Sequence, residues 1–163
     1  MAKEIERKFL VADEVLLTLK DILSVGAIEQ IYLYGDGKTE IRFRKTTDMM
    51  TQTTSYTMTI KIGSGLERKE YEHPITQEVY EELSRDKRKL RKVRFTLSLK
   101  DGRIGYLDKY LLVGGSLKPN ILEVEFESKE EAESFIPPHW VREEVTDDPS
   151  YQAYHLCNQK GGY

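Results

Sequence analysis

The chain is poor in the residues that staple, ligate soft metals or cross membranes. Its single cysteine, Cys157, cannot form an internal disulfide, so a reducing, cytoplasmic setting is expected. Three histidines, His73, His139 and His155, are scattered along the sequence and are expected in turns or on the surface. The lack of paired histidine or cysteine argues against a zinc centre. No apolar run approaches the length of a membrane-spanning helix, and the first strand begins almost at once, which leaves no room for a signal peptide. Net charge is only −3, so the surface as a whole is not one for binding nucleic acid, and any anion site must be local. No repeat, low-complexity stretch or linker divides the chain, and a single domain over 1–163 is expected.

What the sequence has in abundance is charge, placed with a period of two. Side chains on a strand alternate between faces. In Glu4-Ile5-Glu6-Arg7-Lys8-Phe9-Leu10, Glu4, Glu6 and Lys8 therefore share one face, opposite Ile5, Arg7 and Phe9. The same alternation sets Arg42 and Arg44 against Ile41 and Phe43, and Lys61 against Ile60 and Ile62. It groups Arg68, Glu70 and Glu72, pairs Lys92 with Arg94, and pairs Glu123 with Glu125. A sheet built from these strands has one apolar face and one densely charged face of mixed sign.

Read in order, a helix is expected over 13–23, with Asp13 as N-cap and Gly26 as stop. A strand follows over 28–34, and Gly35-Asp36-Gly37-Lys38 turns it into the Arg42/Arg44 strand. Residues 46–55, rich in threonine, read as a mobile loop, and Gly63-Ser64-Gly65 makes a second hairpin. A helix over 78–85 turns Val79, Tyr80 and Leu83 inward, and the basic run 86–91 is either a solvated helix end or a lip that draws in anions. Strands over 92–99, 104–112 and 121–127 follow, with a loop bracketed by Gly114-Gly115 and Pro119-Asn120. A helix over 129–135, a halt at Pro137-Pro138, Trp140 against the sheet and a short last helix through Leu156 complete the chain.

About eight antiparallel strands with a few short helices make an α+β protein. The helices bury their apolar stripes on the greasy face. Closing the sheet into an eight-stranded barrel removes both edges and turns the charged face inward, around a water-filled bore. Buried charges left dry and unpaired would cost several kcal/mol each. Lys8, Arg42, Arg44, Lys61, Lys92 and Arg94 among Glu4, Glu6, Glu70, Glu72, Glu123, Glu125 and Asp108 make chemical sense around a polyphosphate. The cations take phosphate oxygens, and the carboxylates hold Mg2+ or Mn2+.

Glu4-Ile5-Glu6-Arg7-Lys8 is similar to the ExExK signature of the CYTH superfamily, the triphosphate tunnel metalloenzymes. The resemblance continues through Arg42-Phe43-Arg44, Thr59-Ile60-Lys61, Glu70-Tyr71-Glu72, Lys92-Val93-Arg94, Tyr106-Leu107-Asp108, Glu123-Val124-Glu125 and the closing Glu144-Val145-Thr146 with Tyr151. It implies a closed tunnel of eight strands and a divalent metal. Glu4, Glu6, Glu123 and Glu125 become the principal metal carboxylates. Glu70, Glu72 and Asp108 complete a second metal site or orient water. The six cations become the triphosphate cradle, and Tyr32 pairs with Lys8 to activate a nucleophile. A homodimer through outer surfaces is also implied. The chain departs from the family at Asp147, where glycine is usual, and at Ala153, where asparagine is usual, which bears on how the tail closes the tunnel.

The expected activity is metal-dependent hydrolysis of a triphosphate, foremost inorganic tripolyphosphate to pyrophosphate and phosphate. The alternatives are a class IV adenylate cyclase, which needs an adenine pocket at the tunnel mouth, and a polyphosphate- or nucleotide-binding module without catalysis.

Overall fold

A computed structural model describes residues 2–111 and 119–158. Strands β1 (Ala2–Val11), β2 (Ile22–Gly35), β3 (Thr39–Asp48), β4 (Thr54–Ile62), β5 (Glu67–Pro74), β6 (Leu90–Ser98), β7 (Ile104–Tyr110), β8 (Asn120–Phe126) and β9 (Val141–Glu144) form one sheet. Four short α-helices accompany it: α1 (Asp13–Leu16), α2 (Gln77–Ser84), α3 (Lys129–Ser134) and α4 (Ala153–Asn158). Strand order is β5-β4-β3-β2-β6-β7-β8-β1, every pairing is antiparallel, and β5 pairs back onto β1 to close an eight-stranded barrel. Among the described residues, no helix is long and apolar enough to cross a membrane.

The seam lies along β1. Its first half pairs with β5 from Ala2↔Glu70 to Ile5↔Glu67, and its second half pairs with β9 at Phe9 and Val11. Between them the tail and the β4–β5 loop supply single bonds. Glu6 N donates to Leu66 O (3.1 Å), Val145 N donates to Lys8 O (2.8 Å), and Lys8 N donates to the Thr146 hydroxyl (3.0 Å). Arg7 locks this arrangement from outside, donating twice to Glu144 at 2.7 Å and to the carbonyls of Ala132 (2.7 Å) and Phe135 (3.0 Å).

Outward side chains pack under the helices. Phe9, Leu107, Leu122, Val124, Phe126 and Phe135 form the main cluster, with Trp140 against it as expected; Ile31 and Phe43 meet Tyr80 of α2. Each such side chain, fully buried, contributes about 1.5–3 kcal/mol. A third cluster is built differently. Leu90, Tyr110 and Ile121 have the inward parity of Lys92, Asp108 and Glu123, and they pack on Leu156 and Cys157 of α4. One end of the bore is thus filled by apolar residues and stoppered by α4.

Several local expectations are corrected. The helix over 13–23 shrinks to one turn. Ala12, which has no capping side chain, precedes it, Asp13 accepts instead from Asn120 Nδ2 (2.7 Å), and Ile22 already pairs with Leu97. Gly26 lies inside β2, between Asp48 and Arg94, so β2 is far longer than 28–34. Residues 46–55 are mostly hairpin rather than loop: Thr46 and Thr47 pair with Ser55 and Thr54, and the Asp48 carboxylate accepts from the amides of Met50 (2.8 Å) and Thr51 (2.9 Å). Threonine favours the strand wherever a partner is available. Val79 is exposed, whereas Tyr80 is buried. A ninth strand, β9, appears where none was expected, because the free half of β1 needs a partner. The Gly114-Gly115 loop and Leu112 lie outside the described residues.

Candidate active site

The inward faces of the strands enclose a polar cavity of about 220 Å³. Of the fourteen residues expected at the site, all but Glu6 and Asp108 line this cavity directly, and those two lie beneath it, bonded to lining residues. The register explains the gathering. Lys8 stands opposite Glu123, Glu6 opposite Glu125, Arg94 opposite Asp108, Lys61 opposite Glu70, and Arg42 opposite Tyr32.

Two walls of different character result. On β1 and β8 the carboxylates crowd one another. Oxygens of Glu4, Glu6 and Glu125 all lie within 4.8 Å of one another, the one such group among the described residues. Like charges directly opposed across strands are destabilising, and Glu6↔Glu125 is such a pair. Burial, and Glu6 beside it, push Glu4 up to about 7; burial and the same neighbour also push Glu125 up. Glu6 behaves oppositely: burial works against its charge, but Lys8 at 3.2 Å, together with Lys61 and Arg68, outweighs it and the carboxyl falls to about 2. Three oxygen donors this close, without nitrogen or sulfur, fit a hard divalent cation; Lys61, Lys8 and Arg68 also meet Glu4 and Glu6, whereas among the described residues Glu125 forms no ion pair.

The remaining expected carboxylates are held by other partners. Asp108, completely buried, accepts from Lys92 (2.6 Å) and twice from Arg94 (2.7 Å each). Burial opposes its ionisation, yet Arg94 and Lys92 keep it below the usual carboxylate range. Glu123 meets Arg94 (3.2 Å) and Lys8 (3.9 Å); Glu70 meets Lys61 (3.1 Å); Glu72 accepts from the Thr59 hydroxyl (3.1 Å). Lys61 also grips Glu4 at 2.7 Å.

The opposite wall, on β2 and β3, lacks such balance. Among the described residues neither Arg42 nor Arg44 forms an ion pair, and Arg42 Nε is buried without a hydrogen-bond partner. Arg44 donates to the neutral Gln30 amide at 3.0 and 3.1 Å. Burial, with Arg42 and Arg94 alongside, pushes Arg44 down to about 9, which still leaves it charged at neutral pH.

The sequence reading missed several lining residues. Arg68 reaches Glu6 (3.4 Å), Glu40 (3.5 Å) and Glu4 (3.7 Å), bridging three strands. Glu40, Gln30 and Tyr106 also face inward. Parity could have found all of them, since Arg68 shares a face with Glu70, Glu40 with Arg42, and Gln30 with Tyr32. Gln152 and Ala153 at the stoppered end could not have been found this way, because the tail brings them there. The basic run 86–91 is mostly exposed, does not line the cavity, and is anchored through Lys89 and Arg91 to Glu29.

No protein-family model matches the chain. Similarity to known proteins is nevertheless extensive. The inorganic triphosphatase of Nitrosomonas europaea is 40% identical over 159 residues, spanning 94% of this chain and 96% of that protein. The chain belongs to the inorganic triphosphatase family. An inorganic triphosphatase of Acetivibrio thermocellus is 30% identical over 161 residues, 96% of this chain and 94% of its own. The crystal structure of inorganic triphosphatase NE1496 superposes with a TM-score of 0.67 at 35% identity, covering 99% of both chains. The CYTH resemblance is thereby borne out, as is the barrel. A putative adenylyl cyclase from Hippeastrum with a dominant triphosphatase activity shares the fold, with a TM-score of 0.58 at 17% identity over 82% of this chain and 83% of its own.

Proposed function

We propose that this protein hydrolyses inorganic tripolyphosphate to pyrophosphate and phosphate inside the barrel. The observation that carries the reading is the pair of guanidinium groups of Arg42, which is buried, and Arg44, which is half-buried, left without ion-pair partners among the described residues in a cavity only about 220 Å³ in volume. Isolated buried cations are costly, and a polyanion is what offsets the cost. The volume falls below the ~300–1,000 Å³ usual for drug-sized ligands, which favours a compact phosphate chain over a nucleotide. Membership in a family named for inorganic triphosphatase supports the same reading.

Glu4, Glu6 and Glu125 would hold Mg2+ or Mn2+. When bound, such an ion neutralises phosphate charge and polarises the phosphoryl group. Arg42, Arg44 and Arg94 spread the charge that develops on the transferred phosphoryl, with Lys8, Lys61 and Lys92 completing the cradle. Lys8 keeps its proton: burial disfavours the charge, but Glu6 and Glu123 outweigh it and raise the amine. Burial also pushes Tyr32 up to about 12, so at neutral pH both groups are hydrogen-bond donors rather than bases. Orientation of the attacking water then falls to the carboxylate wall. The lone cysteine fits a reducing compartment, and we assign the activity to the cytoplasm.

The test is a parallel incubation with Mg2+ or Mn2+ and tripolyphosphate, ATP or thiamine triphosphate. Phosphate released chiefly from tripolyphosphate is the expected result. Cyclic AMP from ATP would point to a cyclase, and binding without product would reduce the protein to a polyphosphate-binding module.

A further inference from the structure

Gln30 is fully buried on β2, faces inward, and has one neighbour on each side of its amide. Arg44 donates to its oxygen from Nε (3.1 Å) and Nη2 (3.0 Å), and its nitrogen donates to the Tyr32 hydroxyl (2.9 Å). The orientation is forced. A guanidinium has only donors, so the Gln30 oxygen must face Arg44 and its NH2 must face Tyr32. The Tyr32 oxygen therefore accepts, and its own proton is left to point elsewhere. Tyr32 lines the cavity, and among the described residues no group accepts that proton. One amide thus sets two donors, a guanidinium and a phenol, toward the same space.

We infer that Gln30 is a positioning residue that aims Arg44 and the Tyr32 hydroxyl proton together at one phosphoryl group of tripolyphosphate. The inference rests on the proposed function. It makes Tyr32 a hydrogen-bond donor to phosphate, with Gln30 as the reason it cannot act as an acceptor there. Burial reinforces this by keeping the phenol protonated, up to about 12.

The decisive substitution is Gln30→Glu. A carboxylate still accepts from Arg44, but it presents an acceptor to Tyr32 as well and turns the phenol proton back toward residue 30. Because the added charge also repels phosphate, the effect is read as a double-mutant cycle with Tyr32→Phe, which has no hydroxyl to misdirect. Turnover of tripolyphosphate, and its dissociation constant measured by calorimetry without metal, are both recorded, with thermal melts to confirm folding. Gln30→Glu is expected to cost about tenfold more with Tyr32 present than in the Tyr32→Phe background, the scale of one charge-assisted hydrogen bond. Gln30→Leu, which drops both bonds, provides a second cycle should the glutamate variant fail to fold. Equal costs in both backgrounds would overturn the inference while leaving the triphosphatase intact. A wild type that binds tripolyphosphate without releasing phosphate would instead defeat the functional reading, and the cycle would then be decided on binding alone. A wild type that does neither removes both.

Discussion

The two walls of the bore differ in how completely their charges are answered by the protein itself. Around Asp108 the balance is closed: one carboxylate, fully buried, is held by Lys92 and Arg94 at hydrogen-bond distance. Around Arg42 and Arg44 it is open, and where Glu4, Glu6 and Glu125 converge it is only partly closed: Lys61, Lys8 and Arg68 meet Glu4 and Glu6, while among the described residues Glu125 forms no ion pair. Asp108 supports the fold and fixes the two cradle cations it holds, while the region of Arg42 and Arg44 is complementary to an anion the chain does not supply, and the cluster that Glu125 completes is complementary to a cation. Charge alternation alone does not distinguish the two kinds of region; the pairing geometry does.

The sharpest way to break this distinction is Asp108→Asn, which strips buried Lys92 and half-buried Arg94 of their shared carboxylate. Breaking one partner of a buried pair costs about 3–5 kcal/mol, so urea unfolding should show a loss on that scale. Arg44→Met, in the open region, should do the reverse. Turnover falls by about 10²–10³-fold, the usual cost of losing a preorganised transition-state donor, while the unfolding midpoint holds or rises. A midpoint that dropped as far as that of Asp108→Asn would erase the difference between the walls.

Smaller effects sharpen the picture. At Gly35 an added Cβ would run into the ring of Tyr154, which stacks edge-on against Tyr32 at 5.5 Å. Gly35→Ala should therefore push α4 off the closed end, costing about 1–3 kcal/mol in thermal unfolding. Glu125→Gln removes a carboxylate directly opposite Glu6 and should stabilise the metal-free protein by about 0.2–1 kcal/mol. Adding Mg2+ should abolish that gain, because the wild type then acquires a ligand that the variant binds less well. Calorimetric melts with and without the ion would decide it.

Much of the lining was legible because period-two alternation is a local property. Once Glu4, Arg42 or Lys92 lies in a strand, the face it shares with its neighbours two residues away is fixed. The same rule, followed further, reaches Glu40, Arg68 and Gln30. Helix and loop boundaries were less legible. The apolar spacing of Val15, Leu16 and Leu19 suits a helix, but it equally suits a short turn whose residues pack on the outer cluster, and the pairing of Ile22 with Leu97 decided the matter.

By itself, the sequence determined which side chains face the bore, since backbone stereochemistry leaves a strand only two faces. Tertiary structure decided which inward charges satisfy each other and which stay unanswered, because that depends on register across strands distant in the chain. Tertiary structure also decided where the bore ends. Leu90, Tyr110 and Ile121 carry the inward parity of the charged residues, and only the return of the tail, with Leu156 and Cys157 against them, turns that stretch from a channel into a closed end.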